Sequence, residues 1–149
     1  MEKIKWGIIG PGNIANNFAD GLKGSYSGQL VSIASKSEDR RKNFGDKYDI
    51  HPDFRFDSYE DIINSEHIDA IYISTPHTLH AQWTIKAAGK GKHILCEKPG
   101  AINFNEGKKI IDAVREAGVF YMEGFMYRCH PQIPKLVEII KKKMIGDVI

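Results

Sequence analysis

The chain has 149 residues, of which 42% are hydrophobic and 27% charged, a composition of one-domain size with enough apolar residues to bury a core. Its 21 basic and 19 acidic residues leave a net charge of +2, spread along the sequence, so no strong field exists to recruit nucleic acid or anionic lipid. Two cysteines, Cys96 and Cys129, make neither a disulfide framework nor the paired spacing of a metal site, and no metal is expected.

The first apolar run, Ile4 to Ile9, is broken by a glycine and a proline, which fits neither a signal peptide nor a membrane span. Together with two reduced thiols, this predicts a cytoplasmic protein with no membrane partner. The run leads into Gly10-Pro11-Gly12-Asn13-Ile14-Ala15, which matches the pattern G-x-G-x-x-A between a strand and a helix spanning about Asn13 to Lys23. That pattern cradles a dinucleotide: a tight turn at Gly10, close approach of a pyrophosphate at Gly12, and a small residue at Ala15 where helix meets strand. Gly10, Gly12, Asn13 and Ile14 are therefore candidate cofactor contacts; a plain strand-to-helix turn is the competing reading.

The second strand is expected from Leu30 to Ser35 and the next helix from Glu38 to Tyr48. The residue at the end of this strand selects between NAD, which needs an acid for the ribose 2′-hydroxyl, and NADP, which needs hydroxyls and cations for the 2′-phosphate. Here stand Ser35 and Lys36, with Arg40 and Arg41 one turn on, so NADP is favoured, while Glu38 and Asp39 keep NAD open.

A helix from Ser58 to Ser65 leads to strands at Ala70 to Ser74, His93 to Cys96 and Val119 to Met122, separated by helices at Leu79 to Gly89 and Asn105 to Ala117. Asn103 and Glu106 have the spacing of a capping box, Phe104, Gly107, Ile111 and Val114 form the expected buried stripe, and Gly118 closes the helix. A last helix, Ile133 to Met144, carries Leu136, Val137, Ile140 and Met144 on one side as a core face. Lys141-Lys142-Lys143, the one basic run, reads as a solvated helix end rather than a phosphate site. The apolar strands are continuous rather than alternating, as in strands buried on both faces. The expected fold is an α/β Rossmann-type doubly wound parallel sheet occupying residues 1–149, with the start of a further strand at Asp147-Val148-Ile149.

Three more stretches follow strand ends: Thr75-Pro76-His77-Thr78-Leu79-His80, Glu97-Lys98-Pro99 and Met122-Glu123-Gly124-Phe125-Met126-Tyr127-Arg128. With the glycine loop, their order resembles the N-terminal domain of the glucose-fructose oxidoreductase / inositol dehydrogenase (Gfo/Idh/MocA) family across the whole chain, in particular its dihydrodiol dehydrogenase and D-xylose 1-dehydrogenase branch. The resemblance implies an NAD(P)-dependent oxidoreductase acting on a sugar, polyol or dihydrodiol, with Lys98 as catalytic residue and a cofactor contact. It also implies that Glu97 contacts the nicotinamide ribose, that Thr75, Pro76, His77 and His80 border nicotinamide and ribose, and that Tyr127 and Arg128 edge the crevice. Partial desolvation beside a cationic ring would suit Lys98 to proton transfer.

Pro99 keeps Lys98 extended, and the Lys98–Pro99 bond is expected to be cis. Family members are about twice this length, with a second α/β domain that supplies the substrate pocket. A non-catalytic dinucleotide-binding sensor or interaction module is therefore carried as an alternative, as is self-association through an apolar face left uncovered.

Overall fold

The structure, a computed structural model, describes residues 2–147. The strand expected to begin at Asp147 falls largely on the last two residues, outside the described ones. Six parallel strands form one sheet in the order β3-β2-β1-β4-β5-β6: β1 Ile4–Ile9, β2 Gly28–Ala34, β3 Arg55–Phe56, β4 Ala70–Ile73, β5 His93–Cys96 and β6 Tyr121–Glu123. The helices between them are α1 Asn13–Lys23, α2 Glu38–Lys47, α3 Tyr59–Asn64, α4 His80–Ala88 and α5 Phe104–Ala117, and α6 Gln132–Lys141 follows β6. Short 3-10 turns occupy Pro52–Phe54, His77–Leu79 and Met126–Cys129.

Strand parity divides the core into two clusters. Ile8, Ile33 and Tyr72 point toward α1 and α2, where they meet Ala15, Ala19 and Phe44. Ile9, Ala34, Ile71, Ile73, Ile94 and Cys96 point to the other face and pack on Ile62, Ile63, Trp83, Ala87 and Ala88 of α3 and α4. This is the doubly wound arrangement: the first half of the chain covers one face and the crossover sends the second half to the other. On the α1 side, beyond the contact of Phe18 with Tyr72, a trough of about 490 Å³ is lined by Phe18, Tyr72, Leu95, Met122 and Phe125.

Caps follow the sequence closely. Ser37, Ser58 and Asn103 accept main-chain N–H groups at the starts of α2, α3 and α5, each worth about 1 kcal/mol. Glu106 reaches back to the Ile102 N–H, and Gly118 closes α5 at φ +64°.

Four expectations change. β3 is two residues long, too short to show a pattern, and exists because it pairs with Ile33 and Ala34 of β2. The α4 region opens with a 3-10 turn before the helix proper starts at His80. In α5 the buried residue is Ile110, with Ala113 and Val114 packed beside it, whereas Phe104 and Ile111 face solvent. In α6, Leu136, Val137, Ile140 and Met144 are all exposed, so the stripe read as core is an uncovered apolar face.

Candidate active site: a dinucleotide crevice at the strand ends

Every chemistry-bearing motif falls at the carboxyl edge of the sheet, where ligands of open α/β sheets bind. The glycine loop sits between β1 and α1. Gly10 has φ +91°, and a Cβ there would lie 3.1 Å from the Ser74 carbonyl oxygen, so the fold itself demands glycine.

Gly12 is different. Its φ of −87° suits any residue, and an added Cβ meets no atom within 4 Å. Nothing among the described residues requires a glycine there, and the open space leaves the backbone accessible to a ligand. Gly12 is also the N-cap of α1, with no capping side chain and no acidic residue in the first turn, so amides at Asn13 and Ile14 face an anion-binding position.

At the end of β2, Ser35 is buried and its hydroxyl accepts the Ser37 N–H, which leaves the hydroxyl proton to donate. Arg41 is spent on the protein: its guanidinium donates to the Ser35 carbonyl at 2.7 Å. Lys36 lies 6.0 Å over the Tyr59 ring. Arg40 is half-committed to no one among the described residues, having no ion pair, and borders a small cavity with Pro11 of the glycine loop and Lys47.

At the other end a crevice of about 400 Å³ gathers Ile14, Ser74, Thr75, His77, His80, Glu97, Lys98 and Met126. Thr75 is 8% exposed and its hydroxyl has no hydrogen-bond partner among the described residues. A buried hydroxyl left unpaired costs about 1–3 kcal/mol, which a polar ligand would recover. Together with the Gly12 opening, this orphaned hydroxyl fits a dinucleotide. Pro76 is exposed and starts the 3-10 turn, and His77 is exposed on the crevice rim.

Glu97 accepts a 2.6 Å hydrogen bond from the Tyr72 hydroxyl through one carboxylate oxygen, and its other oxygen has no partner among the described residues. Burial, with the Glu97 carboxylate beside it, holds the Tyr72 phenol far above its usual range, so it stays a donor. Lys98 is exposed and makes no hydrogen bond or ion pair among the described residues. The desolvation expected of it is not supplied by residues 2–147. The Lys98–Pro99 bond is cis, as expected. Cys96, at the end of β5, is fully buried and its thiol is pushed up to about 12 by burial, which removes it as a nucleophile.

Two expectations for crevice residues need correction. His80 is 2% exposed, and both its ring nitrogens lie against main-chain carbonyl oxygens, so it lines the crevice without a nitrogen left for a ribose. Tyr127 and Arg128 are exposed and line neither cavity; Met126, three residues after Glu123, reaches the crevice instead. Sequence reasoning passed over Tyr72, because a tyrosine inside an apolar strand reads as core.

A doubly wound sheet with a glycine turn under an uncapped helix and an orphaned hydroxyl at the far strand ends defines a nicotinamide-dinucleotide-binding oxidoreductase domain. The chain belongs to the Gfo/Idh/MocA oxidoreductase family with an NAD-binding Rossmann fold, which it matches over residues 4–125. It is 34% identical over 146 residues to a trans-1,2-dihydrobenzene-1,2-diol dehydrogenase of Xenopus tropicalis, covering 97% of this chain and 44% of that protein. It is 33% identical over 141 residues to a D-xylose 1-dehydrogenase (NADP(+)) of Haloferax volcanii, covering 95% and 43%. A 3-ketoreductase from Actinomadura kijaniata, solved in complex with NADP, superposes with a TM-score of 0.90 at 30% identity, covering 98% of this chain and 46% of that one. The chain thus spans less than half the length of the relatives it matches. Among the described residues, no helix is long and apolar enough to cross a membrane, and no group of three or more candidate ligands could hold a metal ion.

Proposed function

We propose that this domain binds NADP(H) across the strand ends and that Lys98 handles the proton of a hydride transfer to or from a sugar, polyol or dihydrodiol. The observation that carries the reading is the single crevice that gathers the unpaired Thr75 hydroxyl, His77, Glu97 and Lys98. When bound, the nicotinamide supplies the carbon that gives or takes hydride. The uncapped amides of α1 hold the pyrophosphate, Ser35, Lys36 and Arg40 hold the 2′-phosphate, and the unpartnered oxygen of Glu97 accepts a ribose hydroxyl. Thr75, Pro76 and His77 border the nicotinamide side, and Lys98 donates to a substrate carbonyl oxygen or takes the proton of its hydroxyl. The substrate class is supported by the relatives, whose names specify a dihydrodiol, D-xylose and the reduction of a ketone.

Fluorescence titration with NADPH is expected to show saturable binding, and Lys98→Met is expected to change that affinity by less than about threefold, because the amine acts on substrate rather than on the cofactor phosphates. In a dehydrogenase assay with sugars or diols, the same substitution should remove any turnover. An inability of the chain to bind either NADPH or NADH would sink the cofactor reading. The exposure of Lys98 supports a second reading, a non-catalytic dinucleotide-binding module, which predicts binding without turnover on any of these substrates.

The exposed apolar surface of Phe125, Met126, Leu136, Val137 and Ile140 supports self-association of the chain. Sedimentation velocity over rising concentration should show growth beyond the 16.8 kDa monomer, and a concentration-independent monomer would rule it out.

A further inference from the structure

One peptide group next to Lys98 is held at both of its ends. The Pro99 carbonyl oxygen lies 2.7 Å from His80 Nδ1, and the N–H of the same peptide, on Gly100, donates to Glu123 Oε1 at 2.7 Å. His80 Nε2 lies 2.8 Å from the Thr75 carbonyl oxygen. Both partners of the ring are carbonyl oxygens, which only accept. The ring, 2% exposed, thus stands between the two strand-end loops with a nitrogen against each.

We infer that His80 and Glu123 are positioning residues for Lys98, gripping the Pro99–Gly100 peptide from its two opposite ends. The bond from the Gly100 N–H to the Glu123 carboxylate has an ionised acceptor, which makes it stronger than a neutral one. Gly100 closes the grip: a Cβ there would overlap the Tyr121 hydroxyl.

The consequence lies on both sides of Lys98. Before it, the Glu97 N–H donates to the Ile73 carbonyl at 2.9 Å and the Glu97 carboxylate is held by Tyr72. After it, the peptide is clamped. The main chain of Lys98 is thereby immobilised while its exposed amine stays free to swing, and the His80 bond to Thr75 makes the two strand-end loops one body. A reacting group needs this, since a misplacement of about 1 Å can cost a hundredfold in rate.

The importance of the grip for chemistry rests on the proposed role of Lys98, so the test reads the grip separately from the cofactor. Backbone nitrogen relaxation of the 149-residue chain should find Lys98 and Gly100 more mobile in His80→Phe, which removes both ring nitrogens, than in the wild type. Equal mobility in the two overturns the part given to His80. Backbone nitrogen relaxation should find Lys98 and Gly100 as rigid as the sheet in the wild type and more mobile in Glu123→Leu, with rigidity restored in Glu123→Gln, which keeps an oxygen acceptor. Equal rigidity in all three overturns the positioning role. NADPH affinity should change by less than about threefold in both Glu123 variants, as in Lys98→Met, because the grip acts on the lysine; a loss of about tenfold would overturn that assignment and place Glu123 at the cofactor. Failure of the wild type to bind NADPH, with the NMR results as expected, would remove the cofactor reading and leave the grip standing.

Discussion

Gly12→Val is expected to leave the fold intact and weaken NADPH binding by about a hundredfold, the cost of filling the place where a pyrophosphate meets the backbone. The residue has φ −87°, which valine adopts without strain, and its Cβ would project into space with no protein atom within 4 Å. Thermal unfolding should therefore be close to that of the wild type. Gly10→Val is the contrasting case: φ is +91° and the side chain would press on Ser74 and Thr75, so both stability and binding should fall. A Gly12→Val chain that binds NADPH like the wild type would remove the glycine loop from the cofactor site.

The second large effect is one of selectivity. Replacing Lys36 and Arg40 together with alanine should weaken NADPH by about thirtyfold while NADH changes little, because only NADPH carries the 2′-phosphate that charge-assisted bonds would hold. Both side chains are exposed, so the loss should shrink as salt is raised. Arg41 is the internal control for stability rather than selectivity, since its guanidinium already serves the Ser35 carbonyl. Equal losses for the two dinucleotides, measured by fluorescence titration, would place the 2′-phosphate elsewhere.

Electrostatics at the far end of the crevice follow from burial more than from sequence. Tyr72, Cys96 and Tyr121 are all pushed up, in each case chiefly by desolvation. None of them therefore supplies a charge to the site, and the ionised groups there are the carboxylates and cations of the strand-end turns. Lys98 is the exposed cation that lines this crevice.

The order of strands and helices was legible in the sequence because each apolar run of strand length is bounded by glycine, proline or a capping residue, and these act locally. Asn103, Glu106 and Gly118 mark α5 for reasons contained within one turn of chain. The cis bond before Pro99 and the gathering of the T-P-H and E-K-P stretches at one edge likewise followed from local sequence and the direction of parallel strands. What a stripe of apolar residues packs against is not local. Leu136, Val137 and Ile140 have helical spacing suited to a core, yet the described residues place nothing over them, and on α5 the buried face belongs to Ile110, Ala113 and Val114 rather than to Phe104 and Ile111.

Residue chemistry thus determined the fold class and the glycine turn, since each depends on backbone freedom or hydrophobic period within a few residues, whereas Lys98 became a candidate through the resemblance of its E-K-P stretch to the family. Tertiary structure alone decided who holds the lysine. His80, Glu123 and Tyr72 lie 18, 25 and 26 residues from Lys98 in sequence, and only strand pairing in the order β4-β5-β6 brings their hydrogen bonds onto the turn beside it. A hydrogen bond is decided by distance and angle, and those are properties of the packed sheet.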